Sequence, residues 1–166
     1  PRYPGVTSAM GCVIADMRQD FVQTINSLVA TLDLDRLAGF MQDHTDQGMA
    51  ALAAARTLFD AREVTFELDM AYIGQTHTVA VKIPAQVVDG RVSPPSHDEI
   101  IQAFDKAYEA TFGRLLKNGT RRILNLRSAV TGKRPKFDLA TLAPTNTDAP
   151  APKATRHVHF GDAWHD

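Results

Sequence analysis

The apolar residues of this chain change from a helical period to a period of two at Glu63, and that change limits what the chain can fold into. Upstream, Leu37, Phe40, Met41, His44, Ala51, Leu52, Ala55, Leu58 and Phe59 recur at steps of three and four, the spacing of one helix face. Downstream, Val64, Phe66, Leu68 and Met70 alternate with Thr65, Glu67 and Asp69, the mark of a strand with one buried face. The expected class is therefore α+β. Asp33 or Asp35 can cap the long helix, which is predicted to run to about Ala61 with a bend or break at Gly48, where glycine costs about 1 kcal/mol relative to Ala.

The remaining elements follow from the same signals. Gly74-Gln75 marks a turn, and Thr78 to Ile83 alternates again up to Pro84, so the two runs make a hairpin. Ala85 to Ser96 reads as a loop. Ser96-His97-Asp98-Glu99 caps a helix with Ile100, Phe104, Ala107, Tyr108 and Phe112 on one face and Gly113 near its end. Past the Asn118-Gly119 turn, RRILNLRSAV reads as a third strand, and Arg156 to Phe160 as a short last one. Towards the start, small and apolar residues lie all round a helix from Thr7 or Ser8 to about Met17, and Gly5, Ala9, Gly11 and Ala15 would let another backbone come close. Gln19 to Leu32 fits helix and strand spacing equally. The expected architecture is an N-terminal docking helix, a long amphipathic helix and a small, mainly antiparallel sheet backed by the helix from Asp98 to Phe112. Three segments follow: 1–32 as a docking segment, 33–140 as the α+β domain, and 141–166 as a Pro- and Thr-rich linker with a terminal strand.

Chemistry is sparse. The net charge of −1 gives no electrostatic case for nucleic acid or an anionic membrane. No apolar run approaches the ~20 residues of a bilayer span, so a soluble, cytoplasmic chain is expected. Cys12 is the single cysteine, and its apolar neighbours point to a buried structural thiol. His157 and His159, two apart on one side of a strand, are weak candidates for a metal site, since no further ligand pattern accompanies them. His44 is expected in the core, and His77 and His97 towards solvent. Asp16 and Asp20 would share a helix face, and Asp69 could meet Arg127 across the sheet, most simply as a structural ion pair. No GxSxG elbow, SxxK, GxxxxGK[ST] or strand-borne GxGxxG occurs, so no nucleophile elbow or phosphate cradle is in view.

Four blocks resemble the C-terminal region of the hydantoinase A / oxoprolinase family, which includes N-methylhydantoinase A, 5-oxoprolinase and subunits of acetone and acetophenone carboxylases. PGVTSAMG at 4–11, followed by Ala15-Asp16-Met17-Arg18, resembles the family's PGxxSAxGxxxADxR. LDMAYIGQ at 68–75 resembles DMRYxGQ, and Phe104 to Gly113 is similar to FHxxHxxxYG. Asn125-Leu126-Arg127 is similar to the VNLR strand. Ala71 stands where the family usually has Arg, and Asp105 and Tyr108 stand where histidines are common, which puts a histidine-based role for that helix in doubt. The resemblance implies a non-autonomous C-terminal domain or split subunit of an ATP-dependent cyclic-amide hydrolase or ketone carboxylase, with the opening residues an interior seam of a longer protein. It places ATP and a divalent metal on an upstream actin-like ATPase domain, and names that domain or subunit and a hydantoinase B-type subunit as partners. Asp69, Tyr72, Gln75 and Arg127 become substrate-chamber candidates, and Asp16 and Arg18 domain-junction candidates. The competing expectations are a non-catalytic interaction module that retains the scaffold, and a small metalloprotein using the terminal histidines.

Overall fold

A computed structural model describes residues 7–116, 119–136 and 154–165. The PRYPGV start, Asn118 of the expected turn and most of the expected linker lie outside these residues. The described residues fall into two units, 1–136 and 137–166. In the first, α1 (Thr7–Ile14) leads to β1 (Met17–Leu28), a 3-10 turn, and α2 (Leu34–Ala54). Then come β2 (Ala61–Tyr72), β3 (Val79–Lys82), β4 (Gln86–Val88), β5 (Arg91–Ser93), α3 (His97–Phe112) and β6 (Arg121–Lys133). The second holds one hairpin, β7 (Val158–Phe160) with β8 (Ala163–His165).

The α+β class and the antiparallel sheet are as the periods predict. The main sheet has the order β1-β6-β2-β3, antiparallel throughout. Phe66, Leu68, Met70 and Tyr72 of β2 line one face together with Leu126 and Ile123 of β6, and all six are buried. Leu37 and Met41 of α2 and Ile100, Phe104 and Tyr108 of α3 close the core over that face. The long helix thus lies on the sheet beside the helix expected there.

Several boundaries differ from the expected ones, each for a local reason. Helix α1 stops at Ile14, so Asp16 and Asp20 share no helix face: Asp16 precedes β1 and Asp20 lies on it. The ambiguous stretch is strand, and it forms an edge of the main sheet, so the segment set apart as 1–32 supplies a sheet strand. Cys12 is exposed rather than buried. Helix α2 starts at the Asp33 cap, whose side chain accepts from Arg36 N, and ends at Ala54, short of Ala61. It runs unbroken through Gly48, where an added Cβ would lie 2.4 Å from Val130 Cγ2. Glycine is there for close approach to β6 rather than as a breaker.

The expected loop at 85–96 contains the β4–β5 hairpin, turned by Asp89 and Gly90, both at positive φ, as a tight primed turn demands. Gln42 of α2 ties it down: Nε2 donates to Gly90 O at 2.8 Å, and Oε1 accepts from Val92 N at 2.9 Å. Ser96 and Glu99 form a reciprocal capping box on α3, and Gly113 ends the helix in the left-handed region.

Candidate functional site

The face of the sheet turned away from α2 and α3 carries the residues with chemistry, because alternate positions of β1, β6, β2 and β3 must all point there. Register places Val22, Arg127, Glu67 and Lys82 in one row, and Thr24, Asn125, Asp69 and Ala80 in the next. Asp69 is the buried centre of the second row, 5% exposed. Its carboxylate accepts from Arg127 Nε at 2.9 Å and from Asn125 Nδ2 at 3.0 Å. The hydrogen bond to Asp69 comes first among the influences that raise the Arg127 pKa, followed by the charges of Asp69 and Glu67. A buried carboxylate satisfied in this way holds the guanidinium in one orientation while half of its side chain stays exposed.

One row along, Ala129 leaves a depression of about 180 Å³ between Arg18 and Asp20 on one side and Arg127 and Glu67 on the other. Arg18 donates to Asp20 at 2.7 Å. This bond raises the Arg18 pKa and lowers that of Asp20, where it is the largest influence. The floor is small and the rim carries both signs of charge, so the depression suits a small polar group.

The structure brings together only part of the predicted set. Asp69 and Arg127 pair across the sheet as expected. Tyr72 lies on the opposite face with the core, and Gln75 reaches it through Tyr108: Gln75 Nε2 donates to Tyr108 Oη at 2.7 Å, and Tyr108 meets the Tyr72 ring edge-on, centroids 4.8 Å apart. The Tyr72 hydroxyl is buried, with no hydrogen-bond partner among the described residues. Burial, and next the charge of Asp105, raise its pKa. Asp16 and Arg18 are not joined. Asp16 accepts from Arg134 N at 3.0 Å, which is what chiefly lowers its pKa, and pairs with Lys133 at 3.1 Å.

Sequence reasoning missed three participants. Asn125 stands beside Arg127 in the NLR block, and period two from Arg127 would have found it. Asp105 forms a two-bond ion pair with Arg121 at 2.9 and 2.7 Å, and Arg121 lies over the Tyr72 and Phe104 rings. Tyr108 links Gln75 to the aromatic cluster. Asp105 and Tyr108 therefore serve ion pairing and packing.

His44 is in the core as expected. Its Nδ1 lies 2.9 Å from Ser128 Oγ and its ring stacks on Phe21. His97, expected towards solvent, is half-buried and donates to Leu32 O at 3.0 Å. His77 is exposed. His157 and His159 both contact the Trp164 ring, with centroids 5.2 and 5.1 Å away. Among the described residues, no group of three His, Cys, Asp or Glu is placed to hold a metal ion. None of the helices among the described residues is long and apolar enough to cross a membrane.

No family model and no curated protein sequence matches the chain. Solved structures do match its fold. The ATP-dependent caprolactamase from Pseudomonas jessenii aligns over 90% of this chain and 21% of its own, with a TM-score of 0.61 at 22% identity. The nucleotide-free structure of an acetone carboxylase, described as a mechanism of ATP-dependent acetone carboxylation, aligns over 96% of this chain and 24% of its own, with a TM-score of 0.52 at 20% identity. The chain thus spans less than a quarter of the length of either and has the fold of one region of each.

Proposed function

We propose that this chain is the C-terminal domain, or a split subunit, of a hydantoinase A / oxoprolinase-type ATP-dependent enzyme acting on a cyclic amide or a ketone. The observation that carries the reading is the coincidence of two independent signals. The fold matches regions of a caprolactamase and an acetone carboxylase, and the LDMAYIGQ and NLR blocks meet in space as the Asp69–Asn125–Arg127 network. In this reading the open sheet face lines the substrate chamber, with Arg127 held by Asp69 to receive a polar substrate group. The aromatic cluster of Tyr72 and Tyr108, with Gln75 bonded to the Tyr108 hydroxyl, supports that wall from behind. Helix α1, whose described side chains are all exposed, with Asp16 and Arg18 after it, forms the junction to the ATPase domain.

ATP and a divalent metal belong to that upstream domain. The described residues offer no phosphate cradle: Arg36 N of α2 and Glu99 N of α3 are already taken by the Asp33 and Ser96 side chains, and among them no glycine-rich loop leads from a strand into a helix. The proposed partners are a hydantoinase A-type ATPase domain or subunit and a hydantoinase B-type subunit, assembled in the cytoplasm.

The test is reconstitution. The chain alone is expected to neither bind nor hydrolyse ATP, and lactam- or ketone-dependent ATP hydrolysis is expected to appear when it is co-expressed with an ATPase part and a B-type subunit. Arg127→Ala is expected to raise KM more than it lowers kcat. ATP hydrolysis by the purified 166-residue chain would overturn the assignment. Failure to associate with either part would favour the stand-alone interaction module.

A further inference from the structure

The outer edge of β3 and the side of α3 beside it enclose an open groove of about 820 Å³. Its walls are apolar and small, formed by Ala80, Ile83, Ala103, Ala107 and Ala110, with Lys82, Lys106 and Glu99 on the rim. The strand side is an edge with no partner strand beyond it among the described residues. Ile83 N donates to Phe66 O at 3.1 Å, and the register continues through Leu68↔Val81 and Met70↔Val79. Antiparallel pairing alternates, so these odd-numbered residues turn their N–H and C=O groups to β2, and Ala80 and Lys82 turn theirs outward.

We propose that a second copy of this chain occupies the groove, pairing β3 with β3 about a two-fold axis at Val81. Ala80 then lies opposite Lys82 of the second copy, and Lys82 opposite its Ala80. The four outward groups of each strand satisfy one another in four hydrogen bonds, and the sheet continues from one molecule into the next.

The helix side is self-complementary in the same sense. The two α3 helices run antiparallel across such an axis, and Ala103, Ala107 and Ala110 put no bulk between them. Glu99 and Lys106 are seven residues apart, two turns along one helix face, and both are exposed. Antiparallel helices bring Glu99 of each copy to Lys106 of the other, twice per dimer, as an isologous interface requires. Glu99 Oε2 is held by Ser96 at 2.8 Å, which fixes the carboxylate at the rim. This pairing runs through the backbone edge of β3 and the side of α3, and uses neither Asp69, Arg127 nor α1.

The experiment is sedimentation velocity with light scattering on the full chain over a wide concentration range. A reversible dimer is expected. Ala80→Pro removes an outward N–H and leaves the pairing with β2 intact. Lys106→Glu sets like charges together twice, and Ala110→Arg fills the groove. Each is expected to weaken dimerisation about tenfold or more, with far-UV circular dichroism and the urea midpoint close to those of the parent. Because Ala80→Pro can also disturb the strand, the other two variants carry the test independently. A chain that stays monomeric throughout, that assembles beyond a dimer, or that dimerises unchanged in both Lys106→Glu and Ala110→Arg would overturn the proposal, as would binding only to an extended segment of another protein.

Discussion

His44 shows most directly how burial sets chemistry at a single residue. It is 8% exposed, and burial lowers its pKa below the ordinary 6.5 although the Asp43 charge opposes this. The native state therefore holds its proton less tightly than the unfolded state does, and protonation favours unfolding. Stability is expected to be full above about pH 6.5 and to decline as the pH falls below that value towards the folded-state pKa. Urea midpoints at pH 7.5 and 5.5 check this, and His44→Gln is expected to flatten the difference. Asp69 makes the companion case. Asp69→Ala leaves Asn125 Nδ2 and Arg127 Nε without their acceptor, at a cost of about 1–3 kcal/mol, towards the lower end because Arg127 can rehydrate; chemical denaturation measures it. The Asp69–Arg127 pair was legible because both residues sit on polar positions of period-two strands. Tyr72 is three residues from Asp69 and so on the opposite face, a parity that the motif LDMAYIGQ conceals when it is read as one block.

At the scale of elements, local signals were read well where one residue type carried the geometry. The Ser96/Glu99 box and Gly113 mark α3 almost to the residue. They failed where the deciding contact was distant. Gly48 looks like a helix breaker until Val130 is placed beneath it. Gly48→Ala is expected to destabilise the fold despite the ~1 kcal/mol that Ala contributes to helix propensity, because its Cβ would strike Val130. The double variant Gly48→Ala/Val130→Ala is expected to recover part of the loss, as thermal melts of the three proteins would show. Strand β1 was ambiguous because its alternation is blurred: Val22 is 59% exposed on the open face, whereas Gln19 and Gln23 occupy the half-buried positions. The β4–β5 hairpin was hidden by its brevity. Its Asp-Gly turn was visible, but three-residue strands carry too little pattern to distinguish them from a loop, and only the Gln42 bonds fix it to the helix.

For the whole molecule, the class was legible and the strand order was not, since alternation says which residues face the core and nothing about which strand is central. The first unit has its own core and its own four-stranded sheet. The single tryptophan, Trp164, lies in the second unit and is 63% exposed. Intact protein is therefore expected to show the emission of a hydrated indole, with little change when the core unfolds. A fluorescence transition coincident with the loss of far-UV circular dichroism would contradict this.

The position of β6 bears on how the chain reaches its fold. It lies between β1 and β2, and pairs Gly132 with Met17, more than a hundred residues earlier. Strand β1 has no neighbour in the sheet, and β2 only the short β3, until this last long strand has left the ribosome. Helices α2 and α3 can form during synthesis, but the layer they cover cannot close. Such distant pairing makes folding slow, and for that interval the nascent chain carries β1 unpaired and β2 open along one edge, the stage at which chaperones or an assembly partner have most to protect.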